Sequence, residues 1–360
     1  MPYLIYDVQD IIHVAQHFLL SPPAISLTMG EVWTLTEDEA HEKLKAMRWP
    51  DGSPTCPICS SKESWPLKCG KKWKCRGKRI DPKTGNERWC YYQYTITTQT
   101  HLHSRKRSLK HILAACLSFV NGVLGAAALR QRREIKNSYK TPFVFQHRIR
   151  AAIDTANQAE MADGPFMEGE VEVDGMFVTG RKVKQNTPIM DDKELEKFFD
   201  DYRKTHTALV VVRERMADGS DKPGKVRTIH VDKEGDAIPF IRRVVKPGST
   251  VHTDYSTQYL PMRMFFKHQR VNHSKTYKDG DACTNQAESF FARVHAAKEG
   301  VYRSWRKKYV SWYGAELAWR EENARTPNGE QVDLILKALL QIGRSPIAGY
   351  WQEHKDRVPF

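Results

Sequence analysis

A chain of 360 residues, 40% hydrophobic and with nine tryptophans, can fill real cores, which excludes wholesale disorder and makes two or three domains the expectation. Its 57 lysines and arginines against 43 acids leave a formal charge of +14, which favours a polyanionic partner, nucleic acid ahead of an anionic membrane. Seven cysteines, an odd number lying mostly between Cys56 and Cys116, argue for metal binding over disulfides, because the start shows no secretory leader of basic, apolar and small-residue segments.

Residues 1–30 are weakly patterned, ending in a break at Ser21-Pro22-Pro23, and carry no assignable task. At Thr36-Glu37-Asp38-Glu39 a capping box opens a short amphipathic helix running to about Met47. Trp49-Pro50-Asp51-Gly52 then turns the chain into Cys56-Pro57-Ile58-Cys59, the usual half of a tetrahedral zinc site. Cys69, Cys75 and Cys90 follow, with a Lys/Arg/Gly-rich insertion from Arg76 to Arg88 that reads as a hairpin tip. The stretch Tyr91 to Thr97 is strongly β-prone. Cys56, Cys59, Cys75 and Cys90 are the preferred zinc ligands, with Cys69 the alternate and His101 and His103 as lesser substitutes.

From Ser108 the pattern becomes helical, with one stripe at Leu109, Ile112, Leu113 and Leu117, a second starting at Ala126 to Arg130, and a third from Tyr139 to Ile153. Short helices parted by Asn121-Gly122 and Asn137-Ser138 suit a helix-turn-helix whose last helix, with Arg148 and Arg150, enters the major groove. A helical bundle linking two domains fits the same pattern. The stretch His111 to Leu129 is interrupted by polar residues and glycines, so it reads as buried helices and not as a membrane span. Asp163-Gly164-Pro165 marks a domain boundary, beyond which an α/β rhythm sets in.

Strands are expected at 170–178, 208–213, 226–231 and 250–254, a helix over 237–245, and a short segment from Lys267 to His273. Between them lie a charged excursion, Arg181 to Thr205, and a polar turn, Lys278-Asp279-Gly280-Asp281. On the first strand Glu170, Glu172 and Asp174 point the same way, opposite Val171 and Val173, and Gly175 permits a close approach. Asp254 ends a strand, and Glu288 sits in the first turns of a long helix that begins near Thr284. Such acids are a solvated face or a platform for divalent cations. Mg²⁺ prefers carboxylate oxygens, and two such ions can activate an attacking oxygen and stabilise the leaving one in phosphodiester displacement.

From the zinc knuckle onward the chain resembles the DDE transposases of bacterial insertion sequences that bear an N-terminal zinc ribbon and a helix-turn-helix. The segments that carry the resemblance are Arg48-Trp49-Pro50-Asp51-Gly52, Cys56-Pro57-Ile58-Cys59, Cys90 with its β-prone tail and Gln146-His147-Arg148-Ile149-Arg150. They continue with Val171 to Gly175, His252-Thr253-Asp254, Val271-Asn272-His273, Thr284 to Glu288, and Arg320-Glu321-Glu322-Asn323-Ala324-Arg325, so that the likeness spans roughly residues 36 to 326. It implies an α/β, RNase H-like catalytic domain preceded by a zinc ribbon and a helical DNA-binding region.

On that likeness the chain divides into an extension (1–35), a ribbon with its preceding helix (36–105), a helix-turn-helix region (106–162), a DDE catalytic domain (163–326) and a helical tail (327–360). Asp174, Asp254 and Glu288 become ligands for two Mg²⁺ or Mn²⁺ ions, with Glu172 a runner-up, and Asn285 positions metal water or substrate. The family often has a lysine seven residues beyond the last acid; here His295 stands there, with Lys298 nearby. Gly175 is a second departure, since relatives commonly place another acid at that position. After the helix, Gly300 to Lys308 mixes aromatic and basic residues, including Arg303 and Arg306, a composition that suits backbone contact with base stacking. Structural Zn²⁺, double-stranded DNA as element ends and target, a homodimer or larger synaptic assembly, and a bacterial cytoplasmic, nucleoid-associated location complete the expectation, with no membrane role. The competing readings are a non-catalytic DNA-binding regulator and a structure-specific nuclease.

Overall fold

The computed structural model describes residues 17–179, 191, 194, 207–215, 223–271, 284–303 and 305–347. Nearly all of the charged excursion from Arg181 to Thr205, the Asn272-His273 pair and the polar turn at Lys278 to Asp281 lie outside the described residues.

Two capping boxes open the described chain. Thr28 with Glu31 caps α1 (Met29–Thr34), and Thr36 with Glu39 caps α2 (Glu37–Arg48), each pairing a threonine hydroxyl and a glutamate with the orphan amides of the helix start. The segment just before α1 belongs to the fold: Asn328 accepts the Ser26 and Leu27 N–H groups at 2.9 Å each and donates to the Leu27 carbonyl at 2.8 Å.

The ribbon follows. A three-stranded antiparallel sheet is ordered β1 (Ser64–Pro66), β2 (Trp73–Cys75) and then a two-residue strand, Gln93–Tyr94, taken as β5. Between them, β3 (Lys78–Ile80) and β4 (Glu87–Trp89) form the hairpin anticipated from the Lys/Arg/Gly-rich insertion. Trp49, Trp73 and Tyr94 pack as an aromatic cluster, with the Trp49 and Trp73 rings 5.1 Å apart edge to face. Arg48 clamps α2 to the chain beyond β5 by donating to the carbonyls of Thr95, Ile96 and Thr98.

Next come α3 (Leu109–Val120), α4 (Ala128–Glu134) and α5 (Lys140–Ala162). The stripe Leu109, Ile112, Leu113 and Leu117 is buried against Ile149 and Ile153 of α5 and against Val332, Ile335 and Leu339 of a helix near the end of the described chain, α9 (Asn328–Leu340). That core also holds Trp49, Cys56, Cys75 and Cys90, so ribbon and helices share one interior. α5 runs well past the Ile153 end expected from its stripe, because the alanine-rich stretch to Ala162 contains no breaker before Asp163-Gly164. Among the described residues no helix is long and apolar enough to cross a membrane.

The remaining architecture is a five-stranded mixed sheet. In chain order its strands are β6 (Glu170–Thr179), β7 (Thr207–Glu214), β8 (Val226–Val231), β9 (Thr250–Asp254) and β10 (Lys267–Val271), arranged β10-β9-β6-β7-β8. β6, β7 and β8 are antiparallel, whereas β9 joins β6 in parallel and β10 joins β9 in parallel. β7 is buried from Thr207 to Arg213, as a near-continuous apolar run in a sheet covered on both faces should be. Val171, Val173, Val210 and Val212 face α6 (Ile238–Val244) and the 3₁₀ segment Thr257–Met264. Leu209 and Val211 face α7 (Asn285–Ala297) and α8 (Val310–Glu322).

One buried charged cluster ties α5 to α8. Arg150, 2% exposed, donates to Glu316 at 2.5 Å, and Glu316 also accepts from Arg320 at 3.0 Å and from the Tyr302 hydroxyl at 2.6 Å. Arg320 reaches on to the Phe119 and Gly122 carbonyls that end α3.

Candidate functional site

The first cluster is the thiol site. Cys56, Cys59, Cys75 and Cys90 bring their sulfurs within 4.8 Å of one another, with Cys56 and Cys90 3.9 Å apart and Cys59 and Cys75 3.3 Å apart. Zn–S bonds of about 2.3 Å in a tetrahedron need sulfurs roughly 3.8 Å apart, so the set fits a structural zinc ion. Two knuckles present the sulfurs: the Cys56–Cys59 turn, and the chain after β2, where the Gly77 N–H donates to Cys75 Sγ at 3.2 Å. A Cβ on Gly77 would lie 2.6 Å from Ser61 Oγ, so the close packing of the two knuckles requires glycine there. Burial pushes the Cys56 and Cys75 thiols up; at Cys59 burial is outweighed by the Ser61 N–H and neighbouring thiols, which pull it down. Cys69, the alternate ligand, is exposed and outside the set. His101 and His103 are also outside it, and burial lowers His101 to about 4.

The second cluster is acidic and spans the middle of β6 and the end of β9. Parallel pairing sets Glu172 opposite His252, so two residues further along each strand carries an aspartate, Asp174 on β6 and Asp254 on β9. Asp174 accepts the Gly175 N–H at 2.8 Å, and Asp254 accepts the Ser256 N–H at 3.2 Å. Glu288, in the first turn of α7, accepts the Thr284 hydroxyl at 3.3 Å. Burial raises Asp174 to about 7, and the nearby charges of Asp254, Glu234 and Glu288 push the same way. The three acids singled out by their sequence settings therefore share one electrostatic neighbourhood. No lysine or arginine among the described residues forms an ion pair with Asp174, Asp254 or Glu234, whereas Glu172 on β6 pairs with Arg215 and Glu160 on α5 pairs with Arg227. Clustered carboxylates of this kind suit hard divalent ions such as Mg²⁺.

Glu234, which sequence reading missed, enters from a 3₁₀ turn, Glu234–Ala237, that follows β8. The available signal was Gly175 itself, a strand glycine whose empty side admits another group.

Glu172 has a different task from that of an alternate ligand. Fully buried, it accepts the N–H groups of Gln286 and Ala287 at 2.9 Å each and the Arg215 guanidinium at 2.8 Å, so it holds the start of α7 to β6. Asn285 and His295 are exposed on α7, at its first residue and in its last turn.

The basic candidates divide by burial. The expectation that Arg150 contacts DNA is overturned: it lies in the interior, paired with Glu316 and stacked under Tyr313 at 4.6 Å. Arg148 is half-buried and donates to the His101 carbonyl at 3.5 Å. The helix amphipathicity that places Ile149 and Ile153 inside carries these two arginines with it. Exposed cations lie instead at the α4–α5 turn, at Arg132, Arg133, Lys136 and Lys140. In the stretch after α7, Arg303 and Arg306 are exposed and Lys298 is half-buried. Its aromatic members do not stack on bases: Trp305 is buried, 5.0 Å from the Tyr313 ring, and Tyr302 bonds Glu316.

Residues 166–322 match the ISXO2-like transposase domain, and residues 35–77 match a transposase zinc-ribbon domain. A curated "Uncharacterized transposase-like protein" of Haemophilus influenzae is 31% identical over 122 residues, covering 32% of this chain and 94% of that protein.

Proposed function

The chain belongs to the ISXO2-like transposases that carry a zinc ribbon, and on that footing we propose that it cleaves and joins insertion-sequence DNA at its terminal inverted repeats. The observation that supports the reading is that Asp174 on β6, Asp254 at the end of the parallel strand β9 and Glu288 in the first turn of α7 share one electrostatic neighbourhood. A strand order of β10-β9-β6-β7-β8, with the first three strands in the chain antiparallel and the last two added in parallel beside β6, supports an RNase H-like fold for residues 163–326.

Asp174, Asp254 and Glu288 would hold Mg²⁺ or Mn²⁺. Such ions, when bound, supply charge for activating an attacking oxygen and stabilising the leaving one. The carboxylates must be ionised for this, so divalent charge offsets the burial and the mutual repulsion that raise Asp174. Asn285, exposed one turn before Glu288, would position metal water or substrate, and His295 lies two turns beyond Glu288. Ribbon residues 36–105, held by zinc, and helices within 106–162 form the end-recognising part. There the α4–α5 turn, with Arg132, Arg133, Lys136 and Lys140, takes the place of Arg148 and Arg150 as the positive surface of a helix-turn-helix. Arg303, Arg306 and Lys298 extend that surface beside α7, and two DNA ends brought together call for a homodimer or larger assembly.

The test is cleavage of DNA bearing the element's inverted repeats, with Mg²⁺ or EDTA, by wild type and Asp254→Asn. Metal-dependent nicking at the repeat boundary, lost in the variant while end binding persists, is the expected result. Tight end binding without cutting in any metal would overturn it in favour of a regulator, and cutting that ignores the repeats would make the protein a structure-specific nuclease.

A further inference from the structure

The geometry points to Glu234 as a fourth carboxylate ligand of the acidic metal site, admitted by Gly175 and backed by the buried hydroxyl of Tyr259. This deepens the proposed function and rests on its reading of Asp174, Asp254 and Glu288 as metal ligands.

Gly175 follows Asp174 on the central strand, and its missing side chain is where Glu234 lies. A Cβ at 175 would come within 2.6 Å of Glu234 Cδ and 2.7 Å of Cγ, closer than real contacts permit. The backbone at 175 is outside the left-handed region, so glycine is needed there for space and not for conformation. Glu234 is held in place by its turn: the Gly235 N–H donates to Gln258 Oε1 at 3.1 Å, and Asp236 accepts the Lys233 N–H at 3.2 Å. No lysine or arginine among the described residues pairs with Glu234, although it is only half-exposed and in a basic protein.

Tyr259 is the independent observation. It neighbours Gln258 on the 3₁₀ segment, is 0% exposed, and its hydroxyl has no hydrogen-bond partner among the described residues. Burial, and after it the charges of Glu234, Asp254 and Asp174 in that order, push that hydroxyl up. A buried O–H left unpaired is costly. Within the electrostatic reach of three carboxylates, it is an available donor to an acid or to a water on a bound cation. Strand alternation puts Asp174 on the face of β6 opposite Val173, and Glu234 comes from the turn after β8 into the space beside the next residue, Gly175.

Metal binding itself tests this without reference to turnover. The zinc-loaded full chain is titrated with Mn²⁺, and free Mn²⁺ is read by electron paramagnetic resonance for wild type, Glu234→Gln, Gly175→Ala and Asp254→Asn. Glu234→Gln removes the ligand charge, while Gly175→Ala keeps Glu234 but pushes its carboxylate aside, since the obstructed atoms are the far end of a flexible side chain. Each should weaken Mn²⁺ binding on the order of tenfold or more, and thermal melts should show both variants folded. Wild-type affinity in both Glu234→Gln and Gly175→Ala, with binding lost in Asp254→Asn, would overturn the role of Glu234 and leave the proposed function standing. Equal Mn²⁺ binding in wild type and Asp254→Asn would overturn both.

Discussion

The Glu172 carboxylate on β6 accepts the backbone N–H of Gln286 at 2.9 Å, which fastens the first turn of α7 to the central strand. Asp174 lies two residues beyond Glu172, and Glu288 two residues beyond Gln286, so this one buried acid sets the spacing between a strand acid and a helix acid of the site. Glu172→Ala leaves the Gln286 and Ala287 amides without their acceptor and takes one partner from Arg215, which also pairs with Glu170, and each unsatisfied buried donor costs about 1–3 kcal/mol. Glu172→Gln keeps an acceptor and should cost about half as much. Urea denaturation of both variants checks the order, and the milder one should still show impaired DNA cleavage, because α7 is less firmly placed.

The pH dependence of the metal-free protein follows from Asp174. Burial, then the charges of Asp254, Glu234 and Glu288, raises its folded value to about 7, above an unfolded value near 4. The folded state then binds the proton more tightly, so this group's contribution to stability is complete at low pH and declines as pH rises toward 7. Asp174→Asn removes the decline. Its melting temperature should exceed that of wild type by several degrees at pH 7.5, and the gap should narrow as pH falls below 7 and close only at about pH 4. Calorimetry of the two proteins in EDTA-free, Mg²⁺-free buffer, zinc retained, measures it, and added Mg²⁺ should shrink the gap at pH 7.5.

Zinc removal should loosen more than the ribbon. Cys56, Cys75 and Cys90 share a core with Trp49, Trp73, α3 and α9, so loss of the ion releases packing on both sides. One zinc per chain is expected by atomic emission. A strong chelator or Cys75→Ser should red-shift tryptophan emission and lower the melting temperature, whereas Cys69→Ser, at an exposed position outside the thiol set, should leave zinc content unchanged.

Buried and exposed arginines should separate cleanly. Arg150→Ala takes one of its two arginines from buried Glu316, leaving Arg320 and the Tyr302 hydroxyl on it, and should destabilise by about 1.5–3 kcal/mol. In a folded preparation it should leave the salt dependence of DNA binding unchanged. Arg133→Ala at the α4–α5 turn should do the reverse, with stability within about 0.5 kcal/mol of wild type and a salt slope shallower by about 1 for each phosphate no longer neutralised. Fluorescence anisotropy across a salt series distinguishes them.

Local patterning alone determined much of this protein. The capping box at Thr36, the alternation in Val171-Glu172-Val173-Asp174, the apolar run of β7 and the hairpin in the Arg76–Arg88 insertion are all written in residues a few positions apart, and the structure builds them where that spacing predicts. Distance along the chain hid the rest. Whether an arginine on α5 reaches solvent depends on what covers that face, and α8 with Glu316 covers Arg150. Period-two spacing put Glu172 and Asp174 on one side of a strand, but only the arrival of the α7 amides separates their tasks. Glu234 carries no signature of its own, because a glutamate after a strand is usually solvated. Its place beside Asp174 comes from a glycine 59 positions earlier, and only the packing of the turn after β8 against β6 brings the two together.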